Sequence, residues 1–330
     1  MIQITDITLA CLDEFNPTGE QLRRLCGLLL CIGNECIELS VRSYGAMGEL
    51  PEQGRYLLRC HSLAEAQRYP QFSRYVLRKT GLAAPANVLE EVRANDICEL
   101  NFLKQFFALE NVRIRGLDDL LMHDYSSAFS TIRGAVKGRV QLCPENEYDC
   151  ATAIAVEWAL QGGRELAASF AGIGGVAPLE EVLIALHVAA RYRPTLSVAV
   201  FADIRRLIEE ITGQRVHPNK PVIGEAIFDM EAGIHADGIA KNPLTYEPFR
   251  PELVGGNRRL VVGKHSGGNA VVLKMRELAL PPSGIDPKAL LACVRQKSIA
   301  LERSLTDEEF TQLFHEMQKS NTKTLGGDDK

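Results

Sequence analysis

The sequence predicts an α/β protein: a shortened (β/α)8 barrel of the TIM type, then a loop-rich arm, then a small helical C-terminal subdomain. Three observations predict it. Eight short strand-like runs are spaced through the first 171 residues, amphipathic helical segments separate them, and that alternation stops near residue 192. The implied boundaries are 1–191 for the barrel, 192–285 for the connector and a dimerisation arm, and 286–330 for the helical subdomain with a disordered tail. A doubly wound open sheet is the other architecture this alternation allows.

Residues 2–9 make the first strand, and Asn16-Pro17-Thr18 breaks the chain. Thr18 with Gln21 forms a capping box, and Leu22, Leu25, Leu29 and Ile32 recur at helical spacing. Gly33 suits a helix C-terminus that needs positive φ. Further strands are read at 36–40, 56–60, 73–78, 96–101, 112–115, 139–142 and 166–171, and helices at 86–94, 117–135, 150–161 and 178–191. Eight units in about 190 residues fall short of the ~250 usual for this barrel, so the stretch 50–110 must be compressed. Beyond it, 200–212 reads as a helix, 213–224 as a connector, and 225–275 as an arm with little periodicity. Residues 287–303 form a helix, and Thr306 with Glu309 caps another running to about 318. The polar end SNTKTLGGDDK reads as disordered.

Composition narrows the function. Hydrophobic residues make up 46% and charged ones 24%, with a net charge of −5, so neither nucleic acid nor an anionic membrane is an expected partner. Apolar runs such as LCGLLLCIG fall well short of the ~20 residues that span a bilayer, and MIQITDITL has no signal-peptide pattern. Nine cysteines, an odd number without a C-x-x-C pair, fit reduced thiols and a cytoplasmic location. Arg55, Arg59, Arg68, Arg74, Arg78 and Lys79 could bind a phosphate or an acidic partner, but their interleaving with Glu65 and apolar residues reads as a solvated face. Glu157 and Trp158 read as exterior packing beside a solvated charge, and Gly172-x-Gly174-Gly175 alone is a weak phosphate-loop signal.

The most distinctive stretch is 224–267, GEAIFDMEAGIHADGIAKNPLTYEPFRPELVGGNRRLVVGKHSG. GIHADG, YEPFRPELVG and GKHSG in this order resemble the region after the barrel in homocitrate synthases of the nitrogen-fixation type and in the related 2-isopropylmalate synthases. The resemblance is strongest over 200–318 and traceable earlier, in ITDITLACLDE, VRIRGLDDLL, CPENEYDCATA and GIGGVAPLEEVLIAL. It implies a barrel enzyme family that condenses acetyl-CoA with a 2-oxo acid at a divalent metal, most closely with 2-oxoglutarate as the acid.

Measured against that family, the departures fall where the chemistry sits. Ala10 and Cys11 occupy the positions of its catalytic Arg and metal-ligating Asp, and Cys143 and Glu145 those of the two His ligands. The Gly-rich loop is shorter by about three residues (alignment by motif context). Cys143, Glu145 and Asp6 are each competent ligands for a softer metal such as zinc, but Asp6 aligns with an earlier family Asp, so no metal is expected in this barrel. What survives belongs to the arm. His235 and Tyr246 correspond to residues that the family inserts into a neighbouring subunit's site, where imidazole moves protons and a phenol stabilises charge. The plain alternative is that His235 only helps the arm fold. Lys264, His265 and Ser266 are candidate binding residues for an acyl-CoA phosphate or a substrate carboxylate, although the flanking glycines favour a purely structural bend.

The resemblance therefore implies an omega-type subunit, a pseudoenzyme barrel active as an acyltransferase component only beside a catalytic homocitrate synthase-type subunit or within a homodimer. Two other readings stand against it. One is a self-sufficient acyltransferase or lyase rebuilt on Asp13, Glu14, Cys143 or Glu145; the other is a non-catalytic regulator or scaffold that associates through the arm.

Overall fold

A computed structural model describes residues 2–33, 36–78, 84–95, 97–99, 110–192, 198–281 and 285–325, which divide into two compact units, Met1–Gly224 and Glu225–Lys330. In the first, eight strands close a barrel: β1 (Gln3–Asp6), β2 (Cys36–Ser40), β3 (Tyr56–Cys60), β4 (Tyr75–Arg78), β5 (Val88–Ala94), β6 (Asn111–Gly116), β7 (Arg139–Pro144) and β8 (Glu165–Ala168). Each pairs in parallel with the next, and β8 returns to β1 with Thr5 opposite Ala167. The helices are α1 (Thr8–Cys11), α2 (Gly19–Cys31), α3 (Val41–Met47), α4 (Leu63–Ala66), α5 (Tyr125–Ala135), α6 (Ala151–Leu160), α7 (Leu179–Ala190) and α8 (Phe201–Thr212).

Local chemistry accounts for most of these elements. The capping box at α2 is formed in both directions, Leu22, Leu25 and Leu29 are buried, and Gly33 takes φ 75°. The compression expected around 50–110 is real, since the four-residue α4 is all the helix that follows β3. Trp158 of α6 is buried, meets Phe129 edge-on at 5.1 Å and donates from Nε1 to the Glu165 carbonyl at 3.0 Å. Its neighbour Glu157 stays partly exposed, as the sequence indicated.

The sequence reading fails at β5. Val88–Ala94 is a strand where a helix is expected, and residues 97–99 of the expected strand 96–101 form a helical turn, its remaining positions lying outside the described residues. In VLEEVRA the apolar residues fall at i, i+1 and i+4, a helical spacing, because alternate positions of the strand carry Glu91 and Arg93 rather than hydrophobic side chains. The same cause overturns the solvated-face reading for Arg59 and Arg74, whereas Arg55, Arg68 and Arg78 are exposed as read and Lys79 lies outside the described residues. Arg59 and Arg74 engage carboxylates of other strands: Arg59 binds Glu38 and Glu91, and Arg74 faces Glu165.

The centre of the barrel is an ion-pair ring. Arg59 donates from Nε to Glu38 at 2.7 Å and from both terminal nitrogens to Glu91 at 2.9 and 2.7 Å. Arg113 reaches Glu38 at 2.5 Å and Glu91 at 3.3 Å, and its Nε donates to Gln141 at 2.6 Å, whose amide in turn donates to the Thr5 hydroxyl at 2.9 Å. Glu38 and Arg113 are wholly buried. Burial opposes ionisation of Glu38, but Arg113 and Arg59 together hold its carboxyl below the ordinary range. Glu91 is likewise opposed by burial and is still brought down to about 2 by the Arg59 hydrogen bonds and the Arg113 charge. Two guanidinium groups against two carboxylates leave the ring formally neutral.

The second unit has its own core. A two-stranded parallel ladder of β9 (Asp229–Met230) and β10 (Arg259–Leu260) accompanies α9 (Gly233–Lys241), α10 (Gly268–Glu277), α11 (Pro287–Leu301) and α12 (Asp307–Leu325). Val262, Val271, Leu290, Val294, Phe310 and Phe314 pack together. Thr306 and Glu309 cap α12 reciprocally, but the helix continues to Leu325, into the tail that composition marks as disordered. The arm also carries more helix, α9 and α10, than its weak periodicity indicates. No helix among the described residues is long and apolar enough to cross a membrane.

Three measurements test this account. Trp158→Ala should cost about 3–5 kcal/mol of unfolding free energy in urea. Arg113→Met should cost about 3–5 kcal/mol, because it strands two buried carboxylates. Glu91 is more acidic folded than unfolded, so its contribution is complete above the ordinary carboxylate pKa of about 4.3 and is lost as pH falls toward about 2. The acid limb of the stability curve should therefore flatten over that window in Glu91→Gln.

Candidate functional site

The C-terminal ends of the barrel strands form the mouth where enzymes of this architecture place their chemistry. Above the ion ring, Arg115 of β6 and Arg93 of β5 converge on Glu145, just past β7. Arg115 Nε donates to Oε1 at 2.7 Å and Arg93 Nη2 to Oε2 at 2.8 Å. A second Arg115 nitrogen donates to the Gly174 carbonyl at 2.8 Å, tying the Gly-rich loop to the strand ends. That loop takes left-handed backbone at Ala171, Gly172, Gly174 and Gly175. A Cβ on Gly174 would lie 2.8 Å from the Cys11 sulfur, so glycine is needed for this approach.

Cys11 and Cys143 lie together in an apolar cluster with Ile7, Ala167 and Val176. Burial, with smaller contributions from Glu38 and Cys143, pushes the Cys11 thiol up to about 12, and burial pushes Cys143 up to about 11. The other acidic candidates are engaged. Asp6 accepts from the Thr8 amide at 2.9 Å and the Thr8 hydroxyl at 2.5 Å, and Asp13 accepts from the Ser40 hydroxyl at 2.8 Å. Glu14 points to solvent.

A divalent cation requires deprotonated ligands with free lone pairs. Here burial favours the protonated form of both thiols, so a cation would have to displace their protons against that shift, and both Glu145 oxygens accept from guanidinium groups. Two fixed positive charges also stand beside the only carboxylate that aligns with a family ligand. The residues present do not fit a divalent metal. Among the described residues no three His, Cys, Asp or Glu side chains converge to hold one.

In the second unit, His235 on α9 and Tyr246 after the following turn come together, with ring centroids 5.6 Å apart and planes inclined by 49°. At Gly238 a Cβ would meet the Tyr246 ring at 2.5 Å, so a larger residue there would displace that ring. Both side chains are exposed, and Ile234 and Leu244 beside them are 81% and 72% exposed. The adjoining Glu247, which sequence reasoning passed over, is buried and holds Arg258 through two hydrogen bonds of 2.7 and 2.6 Å. Phe228 and Phe249 pack edge-on at 5.8 Å to complete the base of this segment.

The GKHSG turn is arranged differently. Ser266 is buried, its hydroxyl accepting from the Gly263 amide and donating to the Glu231 carbonyl, while its own carbonyl accepts from Arg295. The Lys264 and His265 amides donate to Ser298 and to the Glu231 carboxylate, and their side chains are exposed. A Cβ on Gly263 would clash with the Glu231 carboxylate at 2.6 Å. The backbone and Ser266 thus build a bend, leaving the side chains of Lys264 and His265 as the groups open to a ligand.

The family described as homocitrate synthase post-HMGL domain-like matches residues 222–298. The chain is 37% identical over 239 residues to the homocitrate synthase omega subunit of Clostridium pasteurianum, covering 71% of this chain and 68% of that protein. It is 30% identical over 268 residues to 2-isopropylmalate synthase 2 of Caldanaerobacter subterraneus subsp. tengcongensis, covering 78% and 66%. With homocitrate synthase 1 of Nostoc sp. it is 37% identical over 187 residues, covering 55% and 49%, about half the length of that relative. The solved hydroxymethylglutaryl-CoA lyase of Pseudomonas aeruginosa superposes with a TM-score of 0.51 at 12% identity, over 64% of this chain and 93% of that one, which bears on the fold alone. By sequence, then, this chain belongs to the homocitrate synthase family.

Proposed function

We propose that the chain is the arm-donating subunit of a two-component homocitrate synthase-type acyltransferase. Its own barrel does not condense acetyl-CoA with a 2-oxo acid. A partner barrel holds the divalent metal and the 2-oxo acid, 2-oxoglutarate by family likeness, and receives His235 and Tyr246 from this chain. The observation that carries the proposal is the Arg93–Glu145–Arg115 cluster, with Ala10 and the apolar-packed thiols of Cys11 and Cys143 at the other family positions. The exposed His235–Tyr246 pair and the omega-subunit name of the Clostridium pasteurianum relative support the division of labour.

Condensation needs a proton taken from the acetyl-CoA methyl group and negative charge stabilised on the keto oxygen as the new carbon–carbon bond forms. A Lewis-acidic metal supplies several kcal/mol of that stabilisation, and each ~1.4 kcal/mol is a factor of ten in rate. Ala10 cannot bind a carboxylate, and Glu145 holds a nitrogen of each nearby arginine, so a 2-oxo acid entering this mouth would have to compete with Glu145 for those guanidinium groups. An imidazole with a tyrosine hydroxyl beside it can move a proton and donate a hydrogen bond, which is work of value only where a polarised substrate is held.

The purified chain alone should hold well under one divalent ion per molecule by elemental analysis and should release no CoA from acetyl-CoA with 2-oxoglutarate. Co-expression with a homologue that keeps the H-x-H ligands should give acetyl-CoA-dependent CoA release. In that complex His235→Ala should lower kcat about 10²-fold and Tyr246→Phe about tenfold, with assembly unchanged by size-exclusion chromatography. Unchanged rates in both variants, with association lost on arm deletion, would establish a scaffold instead. Turnover by the isolated chain would establish a rebuilt catalyst.

A further inference from the structure

We propose that the N-terminal end of the barrel, opposite the mouth, is a second binding site, one that takes a small organic polyanion bearing carboxylate or phosphate groups. Two hollows open there, of about 500 and 520 Å³, within the range of ligand cavities, and both are lined by Gln3 and Glu165. Arg55 and Arg74 line the first, and Arg133, Arg139 and Arg164 line the second. Glu165 is the one acidic residue lining either hollow, so five guanidinium groups face a single carboxylate.

Pairing within the cluster leaves this excess uncancelled. Arg139 Nε takes one Glu165 oxygen at 2.5 Å, while Arg74 stands 3.8 Å from the other, beyond hydrogen-bond length. Arg133 lies 5.6 Å over the Trp158 ring, reaches Ser130 with one nitrogen at 3.4 Å, and has its buried Nη1 without a hydrogen-bond partner. The Arg55 and Arg164 side chains are exposed and make no hydrogen bond or ion pair among the described residues. Burial and the charge on Arg139 push Arg74 below the ordinary arginine value despite Glu165, as a cation short of counter-charge behaves.

The contrast with the ring above is informative, for there two arginines and two glutamates match fully. A partly enclosed hollow with one sign of charge concentrates counter-ions, and guanidinium forks suit carboxylate and phosphate alike. Tyr56, Phe72 and Leu50 on the wall of the first hollow would cover a ligand's carbon body.

Calorimetric titration of the full chain with citrate and with inorganic pyrophosphate, at ionic strength matched with NaCl, tests the proposal and separates the two anion chemistries. Saturable binding of either probe is expected. The exposed double variant Arg55→Ala/Arg164→Ala should weaken it at least tenfold, and Glu165→Gln, which removes the internal competitor, should tighten it. Arg93→Ala at the opposite end should leave it unchanged. No saturable binding by either probe, or binding indifferent to the Arg55/Arg164 changes, would overturn the proposal.

Discussion

The barrel depends on the ring of Arg59, Glu38, Arg113 and Glu91. Most barrels of this kind fill their interior with layers of branched aliphatic side chains. Here the middle of the lumen is closed by charge, and aliphatic contacts are left to clusters such as Leu57, Val76 and Leu89. Buried ions cost several kcal/mol each to desolvate, and the expense is recovered only when geometry and hydrogen bonding are nearly complete. Five hydrogen bonds among the four side chains, with Gln141 and Thr5 satisfying the remaining Arg113 nitrogen, meet that condition. Because the ring joins β2, β3, β5 and β6, it fixes strand register across the lumen as well as filling it.

This arrangement also explains what the sequence conceals. Strand positions with hydrophobic alternation, and strands bounded by clear turn residues, are legible: β2 and β3 coincide with their expected limits, and both capping boxes are formed. Legibility ends where the inward face carries charge. In β5 the inward Glu91 and Arg93 erase the period of two, and Arg59 and Arg74 look solvated because their carboxylate partners lie 21 to 91 residues away across other strands. The recurrence of charge inside CIELS, YLLRC and VRIRG was the available signal, since a charge in the middle of an apolar strand must find a partner or stay unburied. The arm motifs were legible through their family resemblance, and GIHADG and GKHSG each contain a glycine whose Cβ would press on a specific neighbour, Tyr246 or Glu231.

The mouth and the arm differ in how their polar groups are spent. At the mouth every ionisable group at a family position is satisfied internally, by Arg93, by Arg115, or by retention of a thiol proton in an apolar setting. A substrate carboxylate entering there would have to compete with Glu145 for guanidinium groups already held at 2.7 to 2.8 Å. In the arm the opposite holds. Glu247, Ser266 and Arg258 carry the folding, and their hydrogen bonds leave the imidazole of His235 and the phenol of Tyr246 free to face outward.

Exposure of Ile234 and Leu244 next to that pair has an energetic meaning. Each large apolar side chain left in water forgoes roughly 1.5–3 kcal/mol relative to full burial. Two of them flank a titratable pair on a segment whose backbone is fixed by Gly238 and the Phe228–Phe249 contact. A segment that needed only to fold would gain by turning these residues inward, whereas one that closes on another surface holds that gain in reserve. Under the proposed function, association would supply the driving force and deliver His235 in a preset orientation, so the cost of ordering the His235–Tyr246 pair would be met in folding this unit and not at the moment of reaction.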